Sequence, residues 1–329
     1  MVLMSQPPPA WLLADAPQDD VVLSSRVRVM RNLMGHRFPN RCEDAELIAV
    51  MRKILTASQS IHPLLNVLKG LTAIERDHLV GCRLVAADFP WTEPGRAVLL
   101  DSNRTLSIMI NEEDHLRIQA LTAGWSTDSA RKIATKATEL LRAQLDFACR
   151  PDLGFLAASP SNVGTGVRES AMMHLIGLAH GKRLPAVIRA LAARNIAVRG
   201  LFGESSRAIG AFVQVSVVGR GEADFAGAGE YLIQEERAAR RQISREEVAD
   251  RANQARDFAV RSRSLGLADS LRVLAWSRWA ASLEIAGFAF PTRGVDASLI
   301  SLELRSAAPA TDQDSARLRA NFLRTVLGG

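Results

Sequence analysis

Aromatic residues make up only 5% of the 329 positions, and tyrosine occurs once. Single-stranded nucleic acid is usually held by stacking its bases on aromatic rings. A pI near 9.8 therefore does not make the chain a nucleic-acid binder, and no nucleic-acid partner is expected. Cysteine is also scarce. Cys42, Cys82 and Cys149 are scattered, odd in number and without metal-ligand spacing, which excludes a disulfide framework and points to a reducing cytoplasm. No apolar run approaches the roughly 18 residues that span a bilayer, so no membrane segment is expected. The first twenty residues hold Pro7-Pro8-Pro9 and three aspartates instead of a basic leader and an apolar stretch, so no secretory signal is expected. Lysine is nearly absent, five residues against 36 arginines. Most of those guanidinium groups are expected on solvated faces.

What remains is a globular composition, 47% hydrophobic and 23% charged, long enough for about two domains. Residues 1–20 read as a loose arm with Trp11-Leu12-Leu13 as an anchor. From Val21 a strand is expected, and Asp44 to Ser58 has helical spacing on Leu47, Val50, Met51 and Ile54. Arg96 to Ile110 reads as a hairpin turning at Asp101-Ser102-Asn103-Arg104, and Ser129 to Cys149 as a long amphipathic helix. A Pro/Asn/Gly loop over Ser159 to Gly166 is expected to lead into a helix over Ser170 to Ala179, with a short strand before it at Gly154. Pro185 to Arg194 reads as a helix, Ile196 to Arg199 and Ala211 to Val217 as strands, and the chain beyond Gly229 as almost wholly helical and charged. This divides the chain into the arm 1–20, a mixed unit 21–240 and a helical unit 241–329. Leu271, Val273 and Leu274, among charged helical residues, suggest a dimer face.

Four segments carry chemistry. Asn111-Glu112-Glu113-Asp114-His115-Leu116-Arg117 follows a strand with three consecutive carboxylates. Their mutual repulsion is tolerated where cations compensate, though such a run also reads as an acidic turn capping a helix. Ser161 to Arg168 places two glycines before an arginine, a loop that could bring backbone N–H groups and a guanidinium to an anion, or be an ordinary loop. Val198 to Ser206 flanks an apolar pair with glycines and ends on Glu204, as a closing loop or a surface turn would. Ser24-Ser25-Arg26-Val27-Arg28 sets two arginines on one strand face.

Together these segments resemble the phosphagen (ATP:guanido) kinases, from about Asp20 to Glu236. Within that family they are most similar to the branch that phosphorylates arginine side chains in proteins. Only about twenty residues precede the Ser-x-Arg-x-Arg strand, which sets the chain apart from kinases of small guanidino compounds. The resemblance implies an α+β fold, an antiparallel β-sheet flanked by helices and followed by a helical C-terminal domain. It implies ATP and Mg²⁺ as cofactors, with ATP held along Ser24, Ser25, Arg26, Val27 and Arg28, by Arg117, along Arg168, Glu169, Ser170, Ala171 and Met172, and along Arg199, Gly200, Leu201, Phe202, Gly203 and Glu204. Glu113 and Glu204 are implied as the catalytic carboxylates gripping the acceptor guanidinium. The implied partners are proteins with exposed arginine, the Clp protease machinery and a second copy of the chain. A kinase of a small guanidino compound, and a weakly active adaptor for arginine-rich proteins, are the alternatives.

The chain also departs from that pattern. Ser159 stands where the family usually has a cysteine, Arg83 where a histidine contacts the nucleotide, and Arg207 follows Glu204 where an acid is usual. Of the Arg-Asp-x-x-Arg-Ala motif that binds phosphoarginine, Ser315-Ala316-Arg317-Leu318-Arg319-Ala320 keeps only the second half. Weak or absent phosphoarginine feedback follows.

Overall fold

The strand expected after Val21 forms as β1 (Val22–Arg31) and lies in the middle of an eight-stranded sheet. The computed structural model describes residues 8–13, 15–61, 65–68, 70–200, 208–217, 224–288, 292–307 and 312–328. Around β1 the chain runs α1 (Ala10–Leu13), α2 (Asp44–Ala57), β2 (Leu65–Leu68), α3 (Ala73–Gly81), β3 (Ala97–Asp101), β4 (Leu106–Ile110), β5 (Leu116–Ala123) and α4 (Thr127–Arg142). It continues through a small ribbon, β6 (Cys149–Arg150) and β7 (Gly154–Phe155), then β8 (Val167–His174), α5 (Ile176–His180), α6 (Leu184–Ala192), β9 (Ile196–Gly200) and β10 (Phe212–Val217). Four long helices follow α7 (Phe225–Arg240): α8 (Arg245–Arg261), α9 (Leu267–Ser282), α10 (Thr292–Ala307) and α11 (Asp312–Leu327). The sheet order is β2-β3-β4-β5-β1-β8-β10-β9, and every neighbouring pair is antiparallel.

Period-two alternation gives the sheet two chemically different faces. On one, Val27, Val29, Ile108, Ile118 and Ala120 pack under α2 and α4, where Ala130, Ala134 and Ala137 let the helix approach closely. Farther along, Ala171, Met173, Val213 and Val215 are covered by Leu178, Val187, Leu191 and Leu232 of α5, α6 and α7. The opposite face is apolar in two places: Leu121, Met109, Val98 and Leu100 meet Trp11, Leu12, Leu79, Leu84 and Ile300 at one end, and Met172 and Phe212 join the core of Leu271, Leu274 and Trp279 of α9 at the other. Trp11 and Leu12 are buried at the first, so this part of the arm is an anchor. Truncating a fully buried side chain such as Leu141 to Ala would cost about 2–5 kcal/mol.

Three expectations differ from the fold. Ser170 to His174 is strand, not helix, and only Ile176–His180 is helical. Ala, Met and Glu favour helix locally, but β8 is bonded on both sides, to β1 and to β10, and that pairing overrides propensity. Helix α4 stops at Arg142, short of Cys149. The residues after it leave the helix to extend β1's ladder, Leu33 bridging Phe147 and the Ala148 N–H donating to the Asn32 carbonyl at 2.7 Å. Finally, Leu271, Val273 and Leu274 are buried inside this chain, against Phe212, Trp279 and Val248. They offer no face to a second copy. Among the described residues, no helix is long and apolar enough to cross a membrane.

Candidate functional site

The partly polar face of the sheet gathers the arginines. In register, Arg26 sits between Leu121 of β5 and Ser170 of β8, and Arg28 between Gln119 and Arg168. Residues paired across strands share a face, and two-residue steps keep it. Ser24, Arg26 and Arg28 of β1 therefore lie on the same side as Arg117, Gln119, Arg168, Ser170, Met172, Gln214 and Ser216. Arg199 of β9 joins them opposite Gln214. Five arginines from four strands thus share one face. Arg26 donates from Nη2 to Gln214 Oε1 at 2.9 Å and from Nε to Ser170 Oγ at 3.3 Å. Arg168 Nη2 donates to Ser216 Oγ at 3.4 Å. Gln119 Nε2 donates to the Arg83 carbonyl at 2.7 Å, bringing Arg83 to the same end. Ser24, Arg26, Arg83, Leu121, Met172 and Gln214 line a narrow pocket there.

So many cations on one low-dielectric face repel one another. Burial first, then the charges of Arg117, Arg83 and Arg168, push the Arg26 guanidinium down to about 9. Arg28 is pushed well below its ordinary value by burial and by Arg26, Arg117 and Arg168, with Glu112 opposing. Arginine keeps its proton in proteins, so the depression expresses how strongly this face favours an anion. Nε of Arg28 and Nε of Arg117 are buried without a hydrogen-bond partner. Such donors fit the oxygens of a phosphate chain, where charge-assisted bonds are strongest. Among the described residues, no three His, Cys, Asp or Glu side chains could hold a metal.

The acidic run connects β4 to β5 and caps no helix. Its shape is imposed at three points. Asn111 adopts φ 55° and donates from Nδ2 to the carbonyls of Leu47 (2.9 Å) and Gly95 (2.8 Å). Asp114, buried, accepts from Asn32 Nδ2 at 2.6 Å and from the Ala158 N–H at 2.7 Å. His115 accepts the Leu33 N–H on Nδ1 at 3.0 Å, and burial holds its pKa down to about 4, so it is neutral. Glu112 turns to Arg117 at 2.7 Å. Glu113 alone of the run is exposed. Partial desolvation, then Asp114 and Glu112, raise its pKa against the opposing charge of Arg117, with Asp88 adding to the rise. A carboxylate with raised basicity on a rigid turn, beside an arginine face, can orient a planar guanidinium and take its proton. The Asp114–Ala158 bond also ties this turn to Ser159, whose Oγ lies 2.9 Å from Ser161 Oγ.

Four of the residues expected along the ATP site point elsewhere. Ser25 Oγ donates to the Gly124 carbonyl at 2.7 Å and accepts from the Ser126 N–H at 3.0 Å, fixing the entry to α4. Val27 and Ala171 are core residues of the opposite face. Glu169 accepts from Arg131 of α4 at 2.7 Å. Those four can offer only backbone to a ligand on the arginine face. Gly200 ends β9, while Leu201, Phe202, Gly203, Glu204 and Arg207 lie outside the described residues. The glycine loop before Arg168 leads into a strand, so it presents no helix dipole. Gly166, at φ 62°, is glycine because a Cβ would strike Arg31 Nη1 and, at 2.7 Å, the Met30 carbonyl. Gln119, Gln214 and Ser216 escaped the sequence reading. Their signal was a polar residue at every second position of otherwise apolar strands.

Residues 46–234 match the family model of the ATP:guanido phosphotransferase C-terminal catalytic domain. The chain is 34% identical over 325 residues to a protein-arginine kinase of Moorella thermoacetica, covering 93% of this chain and 91% of that one. It is 36% identical over 279 residues to one of Halothermothrix orenii, covering 80% and 79%. Among solved structures, lombricine kinase superposes with a TM-score of 0.60 over 73% of this chain and 74% of its own, at 23% identity. The duplicated taurocyamine kinase of Schistosoma mansoni, with bound transition-state-analogue components, gives 0.58 over 70% and 35%, at 21% identity. These two likenesses concern the fold. With a domain match over more than half its length and relatives similar almost end to end, the chain belongs to the ATP:guanido phosphotransferase family.

Proposed function

We propose that this chain transfers the γ-phosphoryl group of ATP to the guanidinium of arginine side chains in proteins. The observation that carries the reading is the convergence of Arg26, Arg28, Arg117, Arg168 and Arg199 on one sheet face, with the exposed Glu113 on the rigid turn leading into β5. Similarity to protein-arginine kinases over nine-tenths of the chain supports a protein acceptor.

A guanidinium has no free lone pair until it gives up a proton, and its pKa lies above about 12. Glu113, with Glu204 as the second carboxylate, would hold the planar group by its N–H edges and accept that proton as the N–P bond forms and the bond from phosphorus to the ADP leaving oxygen breaks. The arginine face would hold the triphosphate in line and carry the charge that spreads over the transferring group. Mg²⁺, bound to the phosphate oxygens, would neutralise part of that charge. Alignment of both substrates contributes up to about 7–11 kcal/mol in favourable cases.

The same reading retains the division into an arm 1–20, a catalytic unit 21–240 and a helical unit 241–329, and a cytoplasmic setting where ATP is the donor. It keeps Clp-type proteolysis as the fate of the marked proteins. A homodimer would have to use a face other than Leu271, Val273 and Leu274, which the chain buries itself.

The test is incubation with ATP, Mg²⁺ and an unstructured protein, with free arginine in parallel, followed by mass spectrometry for acid-labile phosphoarginine. Phosphoarginine in the protein supports the reading. Product from free arginine alone reassigns the chain to small guanidino compounds, and no product in either tube leaves a binding role.

A further inference from the structure

The register of β1 decides which residues face the nucleotide, and that register is set at a bulge. Val22 pairs with Met173 and Ser24 with Met172, so Leu23 is one residue extra. A slip of one position would turn Ser25 and Val27 toward the cationic face and send Arg26 and Arg28 into the core beneath α4.

The backbone at this point is held by side chains from the far end of the sequence. Arg278 of α9, fully buried, donates to the Asp20 carbonyl at 2.8 Å and to the Asp19 carbonyl at 2.7 Å. Asp296 of α10, also fully buried, orients it by accepting from Nε at 2.7 Å and Nη2 at 3.3 Å. Arg293 of α10 shares Asp296 at 3.3 Å and donates to the carbonyl of the bulged Leu23 at 2.6 Å. Arg240 of α7 adds a bond to Asp20 O at 3.1 Å and one to His174 O, at the end of β8, at 3.0 Å. Three helices thus grip the lead-in to β1 and the last residue of the strand beside it.

A buried ion pair contributes little net stability, because desolvation offsets the attraction, and its best-attested use is to fix a register. We infer that Arg278, oriented by Asp296, is a positioning residue for nucleotide binding: it locks the bulged start of β1 and so keeps Arg26 and Arg28 on the phosphate-binding face. The inference rests on the reading of that face as the ATP site, and it makes the helical C-terminal elements a determinant of nucleotide affinity.

The experiment compares the wild type with Arg278→Lys, Arg278→Met and a core control, Leu323→Ala. Leu323 is fully buried in the helical cluster and, being apolar, supplies no hydrogen bond to this network. ATP binding is measured by calorimetry, KM for the acceptor arginine by initial rates, and amide hydrogen exchange on peptides covering 22–31. Lysine keeps a charge for Asp296 but loses the fork that reaches both carbonyls. Both Arg278 variants are expected to exchange faster across 22–31 and to weaken ATP binding at least about fivefold, with the acceptor KM within about twofold of wild type. Leu323→Ala is expected to melt earlier with the ATP affinity and the 22–31 exchange unchanged. Wild-type-like exchange in Arg278→Lys and Arg278→Met overturns the lock. Faster exchange with unaltered ATP affinity overturns its link to the nucleotide. Equal losses in Leu323→Ala reduce the effect to general destabilisation. Failure of the wild type itself to bind ATP removes the reading of the face, and the inference with it.

Discussion

Arg26 on β1 and Gln214 on β10 meet at 2.9 Å across the intervening strand β8, the guanidinium donating to the amide oxygen. The bond aims a cation that its neighbours repel. Gln214→Ala removes one charge-assisted hydrogen bond worth about 1.5–3 kcal/mol when buried, and less here because Ser170 remains. ATP affinity is expected to fall about 5- to 20-fold with kcat at saturating ATP nearly unchanged. Calorimetry and saturation kinetics check the split.

With Glu113 as the proposed base, the pH dependence of the transfer follows its ionisation: the carboxylate must be ionised to take a proton, and burial, Asp114 and Glu112 raise its pKa. Activity at saturating ATP should therefore fall on acidification at a higher pH than an unperturbed glutamate would give. Glu112→Gln removes one of the repelling carboxylates and should move the acidic limb to lower pH. A limb that stays in place contradicts the assignment.

Stability should respond to acid earlier than carboxylates alone would cause. His115 titrates near 4 in the fold, and His174 well below its ordinary value, both primarily because burial disfavours the cation. An unfolded histidine takes its proton near 6.5. Below that pH the unfolded state binds protons that the fold refuses, so this contribution is present above about 6.5 and lost as pH falls toward 4. The slope is up to about 1.4 kcal/mol per pH unit for each histidine. Glu113 and Asp114, with raised pKa values, act in the opposite sense. Urea denaturation of wild type and His115→Asn across this range isolates the His115 share, since asparagine can still accept from Leu33. The variant should show the shallower loss.

Phosphoarginine feedback is expected to be weak or absent. Of Ser315-Ala316-Arg317-Leu318-Arg319-Ala320, Ser315, Arg319 and Ala320 are buried on α11, and no aspartate follows an arginine there. Rates measured with and without free phosphoarginine should coincide, and dose-dependent stimulation would contradict this.

Arg26, Arg28 and the acidic run were legible because charge of one sign at period two, or three carboxylates after an apolar strand, is costly without a purpose. Arg117, Arg168 and Arg199 joined them only through the family resemblance. The β3–β4 hairpin was legible from its turn. The identity of β8 was not. Val167 to His174 is a helix-compatible string, and only β1 and β10 on either side make it a strand. Nor could local sequence place Gln214 beside Arg26, 188 positions away, or pair Asp114 with Ala158. The burial of Leu271, Val273 and Leu274 within the chain was hidden for the same reason, since an apolar stripe does not reveal which surface covers it.

Glu113→Gln is the sharpest test of a sheet face that holds the triphosphate while Glu113 activates the acceptor. ATP binding and phosphoarginine formation are measured on the same preparation of wild type and variant. ATP affinity is expected to stay within about twofold of wild type while the transfer rate falls by at least about a hundredfold. A variant that binds ATP and still phosphorylates arginine at near wild-type rate would contradict that role of Glu113.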